Sequence, residues 1–194
     1  MKIFLVILLS IACLAGCSAL KPKPDYCAPD SGCRLDEPLN PPVSLKIGET
    51  KDNIQVCACK PWNSSGIAVK AGEVYRIEAK IKEDWKDSCI ISTPNQGWKG
   101  FWINVVGKFF GHFRRSKAAN WYALMGSVGR TADSAKEAFA VFKESCPALI
   151  ADIEMPKTGR LYFFANDMEG RYGNNKGILN VSITLLSPFT SKRP

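Results

Sequence analysis

Along residues 178–186 apolar and polar side chains alternate: Leu179, Val181, Ile183 and Leu185 fall on one face, Asn180, Ser182 and Thr184 on the other. Successive side chains of a strand point to opposite faces, so this pattern predicts a strand with one side in a core. Shorter apolar runs at residues 54–56, 66–69, 74–79, 121–128 and 161–165 are separated by turn formers. Ala71-Gly72-Glu73 predicts a tight turn between two of them. Short strands at such spacing predict an all-β chain folded as a β-sandwich. One segment departs from the pattern: Thr131 has the chemistry of a helix cap, and Ala132, Ala135, Lys136, Glu137 and Ala138 are good helix formers. A short helix or turn is expected over residues 131–139.

The first fourteen residues carry a different signal. Lys2 precedes Ile3-Phe4-Leu5-Val6-Ile7-Leu8-Leu9, the start of an apolar run that reaches Leu14. That run is too short to span a bilayer stably and has the form of an export signal. Leu14-Ala15-Gly16-Cys17 resembles the lipobox of bacterial lipoproteins, in which small residues admit the peptidase and the cysteine thiol is acylated. The resemblance implies that residues 1–16 are a signal peptide and that Cys17 is the lipid-bearing N-terminus, anchored in the bacterial cell envelope. More than one acyl chain would be required for stable anchoring. Ser18, by resemblance to lipoprotein sorting rules, points to the outer rather than the inner membrane.

Residues 17–50 contain Lys21-Pro22-Lys23-Pro24 and Pro38-Leu39-Asn40-Pro41-Pro42 with little periodic hydrophobicity, which reads as an extended tether. Taking sixteen signal residues from 194 leaves 178, enough for that tether, one domain over residues 51–187 and a short tail at 188–194. Beyond Cys13 and Cys17 stand Cys27, Cys33, Cys57, Cys59, Cys89 and Cys146. An even number in an exported chain suits disulfides. Cys57 and Cys59 would share one face of a strand, a placement poor for bonding each other. The expected partners are Cys27 and Cys33 for that pair, and Cys89 with Cys146, so that the tether is stapled to the domain.

The formal charge of +8 becomes +7 without Lys2. Such a balance favours anionic surfaces, which in the envelope are lipid headgroups or acidic glycans, not nucleic acid. Residues 98–119 are rich in aromatic, glycine and basic residues, including Phe109-Phe110-Gly111-His112-Phe113-Arg114-Arg115. Three readings are open for this stretch: a binding loop, a membrane-surface patch, or an edge hairpin.

The segment richest in candidate chemistry is Asn166-Asp167-Met168-Glu169-Gly170-Arg171-Tyr172-Gly173-Asn174-Asn175-Lys176-Gly177, between two expected strands. Asp167 offers a carboxylate, Asn174 and Asn175 offer amide oxygens, and Gly170 and Gly173 permit positive φ angles that turn carbonyls inward. Hard oxygen donors suit Ca²⁺, which takes about six to eight of them; Mg²⁺ demands a tighter octahedron. Asp and Asn also form plain turns between strands.

This segment resembles the calcium loop of the PA-I-type galactose-binding bacterial lectins, whose pattern N-D-x-x-G-x-Y-x-N-N-x-G is matched at every specified position. Ala71-Gly72-Glu73-Val74 and Ala123-Leu124-Met125 with Val128-Gly129 resemble further strands of the family, so the likeness runs from about Val56 to Leu186. It implies a jelly-roll or galactose-binding-like sandwich and a Ca²⁺ held by Asp167, Asn174 and Asn175 side chains and by the backbone carbonyls of Arg171 and Trp85. It further implies that two neighbouring sugar hydroxyls complete the ion's shell, with Asp167, Asn174, Met168 and Trp85 at the carbohydrate, and Trp85, Trp98 or Trp102 as apolar platforms. His112, the single histidine, is assigned no role.

The expected partner is therefore a glycan, with the membrane reached through the lipid. A structural or envelope-interaction lipoprotein on the same fold is the alternative. No G-x-S-x-G and no glycine-rich phosphate loop occurs, and carboxylate pairs such as Asp84 with Asp87 or Asp152 with Glu154 read as solvated, so an enzyme is not expected.

Overall fold

The computed structural model describes Cys33 and residues 41–88, 90–99, 110–145 and 147–187. The expected signal peptide at 1–16, Cys17, Cys27, Cys89, Trp102, Cys146 and the expected tail at 188–194 lie outside the described residues.

The strongest alternating segment becomes the longest ladder. Strand β10 (Asn175–Ser187) pairs antiparallel with β3 (Val74–Asp87) on one side and with β1 (Thr50–Cys57) on the other. Leu179, Val181, Ile183 and Leu185 are all buried, as their parity requires. Beyond β3 its first half pairs with β8 (Ile150–Glu154), and its last two residues pair with β4 (Ile90–Thr93), which in turn meets β5 (Gly97–Trp98).

The second sheet has the order β2 (Asn63–Val69), β9 (Gly159–Ala165), β6 (Leu124–Val128), β7 (Phe139–Ala140). The inward faces of both sheets meet in one core that includes Val56, Ile67, Ile77, Leu161, Phe163, Leu179 and Val181. This is a β-sandwich, and burial of these apolar faces supplies its main driving force. The Ala71-Gly72-Glu73 turn joins β2 to β3 with Gly72 at φ 78°. Helix α1 (Ala132–Lys136) is capped by Thr131, whose hydroxyl accepts from the Ser134 N–H at 3.1 Å.

The packed structure begins before residue 51. Val43 bridges Ile67, Leu45 is buried in the core, and the Gly48 N–H donates to the Leu185 carbonyl at 2.8 Å. The C-terminal part of the expected tether is thus built into the sandwich. Cys57 bonds Cys33, joining β1 to the segment before it, and Cys59 is disulfide-bonded as well. Cys59 lies in a turn just after β1 and not in the strand itself, and Cys57 and Cys59 do not bond each other.

Candidate functional site

Three residues of the 166–177 loop act as its frame. Asn166 is fully buried and uses its whole amide: Oδ1 accepts from the Ser116 N–H at 3.0 Å, and Nδ2 donates to the carbonyls of Ser116, Ala119 and Asn120. Tyr172, also fully buried, donates from its hydroxyl to the Ala165 carbonyl at 2.6 Å. At Gly177, with φ 120°, a Cβ would sit 2.6 Å from the Asp84 carbonyl oxygen and 2.8 Å from the Trp85 Cα. Only glycine lets β10 pass this close to β3, where the pairing register shifts. Gly170 takes the expected positive φ of 78°, but Gly173 is within the 3₁₀ turn Tyr172–Asn174 and is not among the positive-φ glycines.

On this frame the loop brings Asp167, Asn174 and Asn175 together. Asp167 Oδ1 accepts from the Met168 N–H at 2.6 Å and Oδ2 from Asn175 Nδ2 at 2.9 Å. Asn175 Nδ2 also donates to the Ala58 carbonyl at 3.3 Å, while Asn175 Oδ1 is buried with no hydrogen-bond partner. Such an orphaned oxygen is uncommon and costly, and it fits a group that accepts a lone pair.

The register of β3 and β10 sets Asp87 opposite Asn175. The motif contains no hint of this residue. Asp87 Oδ1 accepts from Asn174 Nδ2 at 2.9 Å and Oδ2 from Trp98 Nε1 at 3.1 Å. Two carboxylates therefore flank two consecutive asparagines, and both are buried. Burial pushes both carboxyls up from the usual carboxylate range, and for Asp167 the charge of Asp87 adds to the effect. Among the described residues neither carboxylate forms a salt bridge.

Arg115 partly offsets the charge of Asp167. Its guanidinium is engaged elsewhere, donating to the Pro61 carbonyl at 2.7 Å and the Tyr172 hydroxyl at 2.8 Å while lying 4.2 Å from the ring centroids of Trp62 and Phe164. Its backbone N–H donates to the Asp167 carbonyl at 3.2 Å, so this aromatic cage pins residues 114–116 against the loop.

Other expected contacts are placed differently. Trp85 is 2 % exposed, its Nε1 donating to the Tyr122 carbonyl at 2.8 Å, which leaves no ring face for a ligand. Its backbone lies beside Gly177, two residues upstream of Asp87 in β3. Trp98 is 8 % exposed and stacked on Trp121, with ring centroids 4.9 Å apart. Both tryptophans are core residues, a correction to their expected use as sugar platforms. The half-buried Met168 packs against the core, and its backbone bridges Arg114. Arg171, exposed, opens the 3₁₀ turn. The exposed aromatics nearby are Phe110 and Phe113, with the His112 ring 3.9 Å from that of Phe113. Next to them opens a cleft of about 450 Å³ lined by Arg114, Lys117, Asn120, Lys143 and Glu144 among others.

The donor set suits a hard divalent cation. It comprises carboxylate and amide oxygens, and the described residues contain no cluster of three or more His, Cys, Asp or Glu side chains.

No family model and no curated protein matches this chain. A solved structure described as "EclA N-terminal domain; PllA-like lectin" is similar, at 19 % identity and a TM-score of 0.45, over 70 % of this chain and 94 % of that one.

Proposed function

We propose that this chain is an exported, lipid-anchored carbohydrate-binding protein of the bacterial envelope, whose 166–177 loop holds Ca²⁺. The observation that carries the reading is the buried, unpartnered Oδ1 of Asn175 beside the buried carboxylate of Asp167. Side chains of Asp167, Asn174 and Asn175 would hold the ion, with the backbone carbonyls of Arg171 and of Trp85 in β3. A bound Ca²⁺ supplies coordination positions that two neighbouring hydroxyls of a sugar can fill. The protein's own contribution is a prepaid arrangement: Asn166, Tyr172 and the Arg115 cage fix the loop before any ligand arrives. Nothing in this reading requires bond making or breaking.

A second reading has its own support. Trp85 and Trp98 are both buried, so the site has fewer apolar faces for a sugar than expected. A cation there could serve to tie loop to strand, while the cleft with Arg114, Lys117 and Lys143 meets an acidic envelope polymer.

Calorimetric titration of Ca²⁺ into the metal-stripped chain, beside an Asp167→Ala/Asn174→Ala variant, tests the cation. Saturable binding that the variant loses supports the site, and glycan arrays with and without Ca²⁺ then separate the two readings. Absence of binding at millimolar Ca²⁺ removes the lectin mechanism.

A further inference from the structure

We propose that Asp87 is a second carboxylate of this cation site, supplied by β3 from outside the loop, and that it makes the site doubly acidic and selective for highly charged hard cations. The inference rests on the calcium reading above and adds to it a residue that the loop motif does not contain.

Three observations converge. First, Asp87 stands opposite Asn175 in the ladder and accepts from Asn174 Nδ2 at 2.9 Å, while Asp167 accepts from the next asparagine, Asn175, through its Nδ2 at 2.9 Å. At 7 % and 4 % exposure, Asp87 and Asp167 have little water to screen their mutual repulsion. Second, neither carboxylate has a salt-bridge partner among the described residues, although Arg115 partly offsets the charge of Asp167 from a distance. Lys86 is on the opposite parity of β3 and pairs with Asp84 at 2.6 Å, and Arg115 is held by Pro61, Tyr172 and the aromatic rings.

Third, Asn175 points to a ligand independently of either carboxylate. As it stands, its Oδ1 has no donor; turned end for end, that oxygen would face Asp167 Oδ2 and the Ala58 carbonyl, the two acceptors that Nδ2 now serves. Both orientations leave an acceptor that a cation satisfies and another acceptor does not.

A purely structural role explains Asp87 poorly. Its two oxygens accept from the Trp98 N–H and from Asn174 Nδ2, but both donors are neutral and leave a buried negative charge without a balancing positive one. The carboxylate is warranted where a cation is to be neutralised. Two carboxylates balance a divalent ion, so the remaining coordination positions need not be filled by an anion. Neutral oxygen donors, among them the sugar hydroxyls of the reading above, suffice to fill them.

The test uses the full-length chain, purified in detergent and stripped of metal, in wild-type, Asp87→Asn, Asp87→Ser and Asp167→Asn forms. Ca²⁺ affinity is read by calorimetry, and Tb³⁺ affinity by emission sensitised through Trp98, which is hydrogen-bonded to Asp87. Near-ultraviolet circular dichroism identifies which Asp87 variants retain the native core. The expected result is saturable binding in wild type and, for a folded Asp87 variant, a loss of about tenfold for Ca²⁺ and about thirtyfold for Tb³⁺, because removing one unit charge weighs half again as much on a trivalent ion. Wild-type affinity in the Asp87 variants, or an equal loss for both ions, overturns the proposal. If Asp167→Asn alone abolishes binding, the calcium site stands and Asp87 falls. If wild type binds neither ion, both fall together.

Discussion

The two ends of strand β3 treat their carboxylates in opposite ways. Near the start, Arg76 meets Asp152 of β8 through paired contacts of 2.8 and 3.0 Å, in the open, with both side chains more than 40 % exposed. The guanidinium holds the Asp152 carboxyl below the usual carboxylate range. At the far end, Asp87 is buried beside Asp167, and its partners are an amide and an indole. There burial wins over those hydrogen bonds and pushes the carboxyl up. An exposed ion pair on a sheet edge needs no special explanation. A buried carboxylate pair, one on the loop and one on β3, whose hydrogen-bond partners are all neutral, is the arrangement expected where a ligand supplies the missing charge.

The largest effect should come from dismantling what holds the buried end in place. In Asn166→Ala the buried Ser116 N–H and carbonyl lose their partner inside the fold, while the carbonyls of Ala119 and Asn120 lose one donor each and keep Arg114 and the Ala123 N–H. Each unsatisfied buried group costs on the order of 1 kcal/mol or more, so with two such groups and the weakened contacts a loss of about 2–3 kcal/mol in chemical denaturation is expected. A loss under about 1 kcal/mol would mean that the loop is held by something other than Asn166.

Next comes Arg115→Met, which keeps an apolar stem but removes two hydrogen bonds and the contacts with Trp62 and Phe164. The expected cost is about 2 kcal/mol. Arg115→Lys should recover little of it, because a point charge cannot reproduce the planar fork stacked between rings. Equal stability of the lysine variant and wild type would show that charge alone holds this segment.

The third change should move stability the other way. Asp167→Asn removes a buried charge from the metal-free protein at the cost of one of the two hydrogen bonds its oxygens accept, from the Met168 N–H and from Asn175 Nδ2. The metal-free domain should gain about 1 kcal/mol near neutral pH, visible as a higher melting temperature, while Ca²⁺ no longer raises it further. A destabilised variant would mean that the carboxylate is satisfied as it stands and that the two ends of β3 differ less than their geometry implies.

How much of this was legible in the sequence depends on whether the information was local. The parity of Leu179 to Leu185 fixes a face without reference to any other strand, and Thr131 caps its helix with neighbours three residues away. Strands β5 and β7, two residues each, exist because a partner pairs with them, and nothing in Gly97-Trp98 or Phe139-Ala140 marks them alone. The loop was readable as a motif, yet its frame and its candidate ligands carry the same residue types: Asn166 is bonded throughout as a structural residue, while Asn174 and Asn175 stand beside the buried carboxylates. Asp87, read from the sequence as a solvated carboxylate, is instead buried and bonded to Asn174, 87 positions away. A signal did exist, since Asp87 shares the inward parity of Tyr75, Ile77, Ala79 and Trp85 along β3. A carboxylate on the core-facing side of a strand asks for a partner. Reading tryptophans as platforms failed for a related reason: inward parity makes Trp85 a core residue before any ligand is considered.

The smallest expected effect is at the exposed end. Arg76→Ala and Asp152→Ala, alone or together, should leave the melting temperature within the scatter of the measurement at physiological salt, because solvent competes for both charges and mobile ions screen them. Cation binding should be unchanged too, as the pair lies at the opposite end of β3 from Asp87. The informative comparison is the same double substitution at low salt, where a small loss should emerge while the response of Asp167→Asn stays as it was, since burial already excludes the salt. If both ends responded to ionic strength alike, the buried carboxylates would have to be reached by solvent, and the case for a dry cation site would weaken with them.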